Sequence, residues 1–125
     1  MNDTYSMTTT PTLEQVHSWA RVSGDNNPVH YDNSFTKSMG LPGPIVHGQL
    51  VVSILLDMVD TWLGQEGYII DFSFAFRSIS YPGYPLVCKG SIASKNDRTY
   101  SLKVSAEDTT GHIHVEGIVT VQLCS

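Results

Sequence analysis

Residues 48–63 constrain the fold most, because this sixteen-residue stretch is apolar at most positions and is interrupted mainly by Ser53, Asp57 and Asp60. A helix that is apolar nearly all round is a buried one. At about 24 Å, and with two carboxylates, it is a poor candidate for a membrane span. The stretch therefore predicts a long central helix that ends near Gly64 and is covered by other elements. Its two carboxylates are expected to reach solvent or to pair at a dimer interface, since isolated buried carboxylates are costly.

Apolar side chains alternate with period two after this helix, which is the pattern of β-strands. The first strand has a strongly apolar face made of Ile70, Phe72, Phe74 and Phe76. Three more strands are predicted around residues 86–92, 100–106 and 113–123, and they are separated by turns at Pro82-Gly83, Asn96-Asp97 and Thr110-Gly111. Connections this short predict antiparallel neighbours. The expected fold class is α+β, with a long central helix wrapped by a curved antiparallel sheet of about five strands.

A short helix and a long loop precede the central helix. Thr12, followed three residues later by Gln15, predicts a capped helix start, and Gly24 predicts its end. Between Gly24 and His47 the chain is rich in Asn, Pro and Gly, with one short helical turn expected between residues 33 and 39. Loops of this length are uncommon in small domains and tend to be functional.

Composition excludes several classes of protein. A chain of 125 residues is about one domain, here residues 1–125. The net charge of −5 argues against general binding to nucleic acid. Two cysteines are too few for a disulfide framework, and neither a signal peptide nor a transmembrane run is found, so we expect a soluble cytoplasmic protein without a membrane partner. Only 15% of the residues are charged, against about 25% in an ordinary domain, which suggests that part of the surface is covered in the working particle.

Two loop segments carry the candidate chemistry. In the first, Pro28 favours an extended Asn27, and Gly24, Asn26 and Asn27 permit tight turning, so Asp25 and His30 can come face to face. Taken singly, this pair fits a capping carboxylate and a hydrogen-bonded loop histidine at least as well. The second segment, Pro42 to Gln49, places Gly48 at the start of the buried helix, where backbone N–H groups lack intrahelical partners and suit an oxyanion. An acid/base pair together with an oxyanion donor would complete a proton-transfer site.

The pattern Ser-Gly-Asp-x-Asn-Pro-x-His, followed by Gly-Pro-Ile-Val-His-Gly before a hydrophobic helix, closely resembles the (R)-specific enoyl-CoA hydratases, also called hydratase 2 or MaoC-like dehydratases. The resemblance implies a single hot-dog domain that pairs with a second copy in a homodimer. It also implies a hydro-lyase that reversibly adds water to a trans-2-enoyl thioester to give an (R)-3-hydroxyacyl thioester.

The resemblance assigns roles to individual residues. Asp25 and His30 match the family's acid/base dyad, Asn27 matches the asparagine that supports the site by hydrogen bonding, and Gly48 matches the glycine whose N–H receives the thioester oxygen. No metal or redox cofactor is expected. The acyl group would ride on coenzyme A or on an acyl carrier protein, whose anionic character calls for a basic patch drawn from Lys37, Arg77, Lys89 and Arg98. Leu56 stands where some bacterial members have a serine, which suggests a different acyl-pocket lining.

Two other functions stay open at this point. A thioesterase is possible because hot-dog domains also hydrolyse acyl thioesters, and a non-catalytic acyl-binding subunit is possible because such domains pair with divergent copies. Among the remaining candidates, His112 and His114 could bind a metal, but solvent-facing strand histidines are the favoured interpretation. His47 is interpreted as a residue that buttresses the loop, and Cys88 as a core cysteine.

Overall fold

The computed structural model describes residues 1–25 and 27–124. Its elements are β1 (Thr4–Thr9), α1 (Leu13–Ser23), a short 3₁₀ turn (Pro28–His30), α2 (Asn33–Ser38), α3 (Gly48–Leu63), β2 (Gly67–Phe76), β3 (Leu86–Asn96), β4 (Thr99–Glu107) and β5 (Ile113–Leu123). The predicted α+β fold, with a five-stranded antiparallel sheet and one long helix, is confirmed. Asn26, which the sequence analysis counts among the turn-forming residues, lies outside the described residues.

The sheet has the strand order β1-β3-β4-β5-β2, and every neighbouring pair is antiparallel. The turns after β3 and β4 join neighbouring strands, as predicted. The prediction that the turn at Pro82-Gly83 makes the Phe-rich strand a neighbour of the next one is wrong, because β2 pairs with β5 and β3 lies between β1 and β4. At the end of β2 the backbone N–H groups of Arg77 and Ser78 both donate to the carbonyl of His114, and the connection over residues 77–85 then crosses to the far side of the sheet.

Helix α3 lies against the sheet and supplies much of the core. Leu55, Met58 and Val59 on α3 are buried together with Leu102 and Val119 on the strands. Burying side chains of this size stabilises the fold by about 1.5–3 kcal/mol each. Asp57 and Asp60 are exposed, so the first of the two expectations for these carboxylates is confirmed. In the described part of the chain, no helix is both long enough and apolar enough to cross a membrane.

Local sequence determines both ends of α1. The Thr12 hydroxyl accepts a hydrogen bond from the Gln15 N–H at 3.1 Å, and the Gln15 side chain accepts one from the Thr12 N–H at 2.8 Å. This capping box was predicted from the spacing alone. At the other end Gly24 adopts a φ of 76°, a left-handed conformation that favours glycine. Helix α1 therefore ends at this position, and the loop that carries Asp25 follows directly.

Strand β2 lies at the edge of the sheet, with its apolar face only half covered. Ile70, Phe72 and Phe76 are each 50–53% exposed, whereas Phe74 packs against the core. An edge strand presents unpaired backbone groups, and one with a large apolar face is a template for pairing with another chain. The predicted Phe-rich face is present, but the single chain does not bury most of it.

Candidate active site

The loop after α1 is shaped by two side chains that cap their own backbone. Asp25 Oδ1 accepts a hydrogen bond from the Asn27 N–H at 3.1 Å. Asn27 Oδ1 accepts one from the Val29 N–H, also at 3.1 Å, and so caps the 3₁₀ turn that ends at His30. Asx caps of this kind compete well with regular secondary structure in short turns. Asn27 thus contacts the loop that carries Asp25 and His30, in keeping with the supporting role the resemblance assigns to it.

Asp25 and His30 come together as predicted. Asp25 Oδ2 lies 3.5 Å from His30 Nε2, and His30 Nδ1 lies 2.9 Å from the Ile45 carbonyl oxygen. Because a carbonyl only accepts, Nδ1 carries a hydrogen, and Nε2 faces the Asp25 carboxylate. The 3.5 Å separation is long for a direct hydrogen bond and invites a bridging oxygen atom. His30 is buried, whereas the side chain of Asp25 is about half exposed.

His47 joins Asp25 and His30 in the candidate site, although the sequence alone favours its interpretation as a residue that buttresses the loop. Its ring stacks on that of His30, with centroids 3.6 Å apart and planes at 18°, and its Nε2 lies 3.8 Å from Asp25 Oδ2. His47 is 2% exposed, and neither ring nitrogen has a hydrogen-bond partner among the described residues. Burial lowers the pKa of His47, and positive charge on the neighbouring His30 lowers it further, while Asp25 acts in the opposite direction. The sequence indicates that His47 belongs to the site only through its position directly before Gly48, at the helix N-terminus.

Three side chains bring their polar atoms together at this site. One polar atom from each of Asp25, His30 and His47 lies within 4.8 Å of the other two. Groups this close can share hydrogen bonds to one water or hydroxyl oxygen, and carboxylate and imidazole groups are also ligands of metal ions.

Gly48 begins α3, and its N–H belongs to the first turn, whose donors have no intrahelical partners. A cavity of about 330 Å³ is lined by Ile45, Val46, Gly48 and Phe76, among others. A Cβ on Gly48 would lie 2.5 Å from Phe76 Cε1, so only glycine permits this ring to pack against the helix start. The Gly48 N–H, the candidate oxyanion donor, thus lies at the wall of an apolar cavity, next to His47 in the chain.

The other candidate residues lie outside this cluster. His112 is exposed and bonds to the Ser78 hydroxyl at 2.9 Å. The side chain of His114 is 12% exposed and lies between Ser80 and Asp108, so the interpretation of both as solvent-facing histidines is wrong for His114. Cys88 is buried as predicted, and burial raises the pKa of its thiol to about 11.

The four basic residues named from the sequence lie on different elements. Lys37 lies in α2 and Lys89 in β3, whereas Arg77 and Arg98 follow β2 and β3. Arg77 pairs with Glu116 and Lys89 with Glu107, so two of the four cations are already engaged.

Comparison with known proteins gives one consistent result. The profile of the MaoC like domain matches residues 2–114. The fatty acid synthase beta subunit TOXC of Cochliobolus carbonum is 32% identical over 102 residues, which are 79% of this chain and 5% of that protein. The peroxisomal enoyl-CoA hydratase 2 of Arabidopsis thaliana is 27% identical over 103 residues, which are 78% of this chain and 33% of that protein. The chain therefore spans a third or less of these curated relatives.

Among solved structures, the (R)-hydratase from A. caviae involved in PHA biosynthesis superposes with a TM-score of 0.90 at 22% identity, covering 96% of this chain and 93% of that one. This likeness establishes the hot-dog fold, in which a sheet wraps a long helix. Together with the profile match over most of the sequence, it leads to one conclusion: the chain belongs to the MaoC-like dehydratase domain family.

Proposed function

We propose that this protein is a hydro-lyase that adds water to a trans-2-enoyl thioester to form an (R)-3-hydroxyacyl thioester, or catalyses the reverse dehydration. The observation that carries the proposal is the convergence of polar atoms from Asp25, His30 and His47, next to the N-terminus of α3. Membership of the MaoC-like family supports it.

In the proposed reaction, the Gly48 N–H donates to the thioester oxygen. Such a donor is typically worth about 2.7–4 kcal/mol of transition-state stabilisation, and it makes C3 electrophilic. The water oxygen, held by Asp25 and His30, bonds to C3 while its proton passes to the dyad. The π electrons of the C2–C3 bond move onto the thioester as an enolate, which takes a proton back from the dyad at C2. Both additions come from one face of the substrate, and no metal or redox cofactor is needed.

A panel of thioesters tests the proposal. Crotonyl and longer or branched trans-2-enoyl groups, each on coenzyme A and on an acyl carrier protein, are incubated with the protein while loss of the double bond and release of free thiol are followed separately. We expect the double bond to be lost without thiol release. Thiol release with an intact double bond would indicate a thioesterase instead, and activity that appears only with another subunit would indicate a non-catalytic partner.

Replacing His47 by Phe tests the third member of the cluster. Phe keeps a ring to stack on His30 but removes both nitrogens, so we expect kcat to fall about tenfold, which is less than the roughly hundredfold or greater loss of a group that itself transfers the proton. Stability should also change with pH. Because the folded pKa of His47 lies below its ordinary value of 6.5, its unfolded ring binds protons more readily, and stability is lost as the pH falls from about 6.5 through the folded pKa. The Phe variant should lack this component of acid destabilisation in melting curves, whereas an unchanged kcat would return His47 to a buttressing role.

We also propose that the chain works as a homodimer in which the β2 edge strands meet. This pairing would provide hydrogen-bond partners for the unpaired backbone groups of the edge strand. It would also cover Ile70, Phe72 and Phe76, which are half exposed in one chain. It would also account for the low share of charged residues. We expect the wild type to sediment as a dimer and Phe72→Glu to sediment as a monomer at the same concentration. Val22→Glu, at a residue 84% exposed on α1, is the matched control and should stay dimeric. A stable, active wild-type monomer would contradict this proposal.

A further inference from the structure

A second cluster of polar side chains lies behind the cavity wall. The Ser80 hydroxyl is 2.7 Å from His114 Nδ1, and His114 Nε2 is 3.2 Å from Asp108 Oδ2. Ser80 is 5% exposed, and the side chain of His114 is 12% exposed. The three residues thus form a continuous chain of hydrogen bonds from a surface turn to a buried serine, and nothing in the proposed reaction uses it.

Asp108 is built to remain a carboxylate. Its Oδ1 accepts hydrogen bonds from the Thr110 hydroxyl at 2.5 Å, from the Thr110 N–H at 2.9 Å and from the His112 N–H at 3.0 Å. The Thr110 hydroxyl, followed by the other donors, holds the pKa of Asp108 well below its ordinary value. An ionised Asp108 only accepts, so His114 Nε2 carries a hydrogen, and Nδ1 on the other side of the ring is hydrogen-bonded with the Ser80 hydroxyl.

The backbone of Ser80 connects this chain of hydrogen bonds to the candidate site. Its carbonyl accepts a hydrogen bond from the Val46 N–H at 2.8 Å. Val46 stands between Ile45, whose carbonyl bonds His30 Nδ1, and His47, which precedes the Gly48 N–H. Ser80 and Gly48 also line the same cavity. The position of one buried serine therefore bears on both the base and the oxyanion donor.

We propose that His114, held between Asp108 and Ser80, is a positioning residue that keeps residues 45–48 in register for the reaction. The proposal rests on the proposed hydratase function for its kinetic consequences, but not for its structural ones. Displacing a catalytic group by about 1 Å can cost about a hundredfold in rate. A positioning defect should therefore appear in kcat, because the oxyanion donor acts most strongly in the transition state.

The chain contains its own matched control. His112 bonds the Ser78 hydroxyl at 2.9 Å, so it makes the same type of contact two residues earlier on both segments. The Ser78 N–H, however, donates to the His114 carbonyl, and among the described residues the Ser78 backbone makes no hydrogen bond to residues 45–48. Loss of His112 should therefore leave the site in place.

The decisive experiment compares His114→Leu, His114→Gln, Ser80→Ala and His112→Leu. We expect His114→Leu and Ser80→Ala to lower kcat about tenfold with KM changed less than about twofold, and His114→Gln, which can still accept from Ser80 and donate to Asp108, to recover most of the loss. His112→Leu should stay within about twofold of wild type. Equal losses from His112→Leu and His114→Leu, or an unchanged kcat in Ser80→Ala, would overturn the proposal. Ser80→Ala also tests it should His114→Leu fail to fold.

Two further measurements distinguish this positioning role from the proposed hydratase function and from a nucleophilic role for Ser80. Amide NMR shifts of Val46 and Gly48, recorded without substrate, should move in Ser80→Ala and not in His112→Leu, whether or not any thioester is hydrated; unmoved shifts would overturn the positioning role alone. A protein that shows these shifts but hydrates no thioester would instead remove the proposed function. Covalent labelling of Ser80 by a fluorophosphonate would make it a nucleophile with His114 as its base, and would also overturn a positioning role.

Discussion

Asp25→Asn is expected to lower kcat for hydration by about a thousandfold while leaving the fold intact. The amide keeps the shape of the carboxylate and can still accept the Asn27 N–H, which holds the loop at 3.1 Å. It cannot accept a proton from water, so the step that opens the reaction loses its base. General acid–base contributions of about 10²–10⁴-fold set the size of the expected loss. Initial rates on crotonyl-CoA, with circular dichroism as a check on folding, measure it.

Asp32→Asn is the matched control for this variant. Asp32 is an exposed carboxylate seven residues further along, and it caps α2 by accepting the Phe35 N–H at 3.0 Å. Asparagine caps helices about as well as aspartate, so stability and rate should both be preserved. Hydration that survives in Asp25→Asn, or an equal loss in both variants, would remove Asp25 from the reaction.

Gly48→Ala is expected to lower kcat about a hundredfold. The added Cβ would meet Phe76 at 2.5 Å from Cε1 and 2.8 Å from Cδ1, so the ring or the helix start must move. Movement of the helix start takes the Gly48 N–H away from the thioester oxygen, and the loss of one such donor costs about 10²–10³ in rate. Steady-state kinetics on the same substrate give the split between kcat and KM.

Two variants show whether the clash is the cause. Gly43→Ala adds a methyl group to the same loop, where its Cβ would meet only Asn33 Oδ1 at 3.7 Å, and activity should stay near that of the wild type. The double variant Gly48→Ala with Phe76→Leu relieves the contact and should recover part of the loss. If Gly48→Ala is fully active, the helix start is not the oxyanion site.

Local signals made much of the fold predictable. The Thr12 and Gln15 capping box, Gly24 at the end of α1, and the apolar run of α3 all act over a few residues, and the structure confirms each of them. The order of the sheet was less accessible. The path of residues 77–85 depends on hydrogen bonds from Arg77 and Ser78 to His114, more than 30 positions away, and no local pattern reports such bonds.

In the candidate site, too, some contacts follow from local sequence and others depend on distant segments. Asp25 and His30 lie five residues apart on one capped turn, so their approach follows from turn chemistry. The ring of His47 stacks on that of His30, and His114 is hydrogen-bonded to Ser80. Both contacts join segments that are far apart in sequence. From the sequence alone His47 is interpreted as a residue that buttresses the loop and His114 as a solvent-facing strand residue, because burial and partners arise only when the segments pack together.

The hydration of an enoyl double bond by Asp25 and His30 as an acid/base pair is tested by the chirality of the product. Purified wild-type protein, Asp25→Asn and Asp32→Asn are each incubated with crotonyl-CoA. We expect (R)-3-hydroxybutyryl-CoA without free coenzyme A from the wild type and from Asp32→Asn, and almost none from Asp25→Asn. An (S) product, free coenzyme A with an intact crotonyl group, or equal product from all three proteins would contradict it.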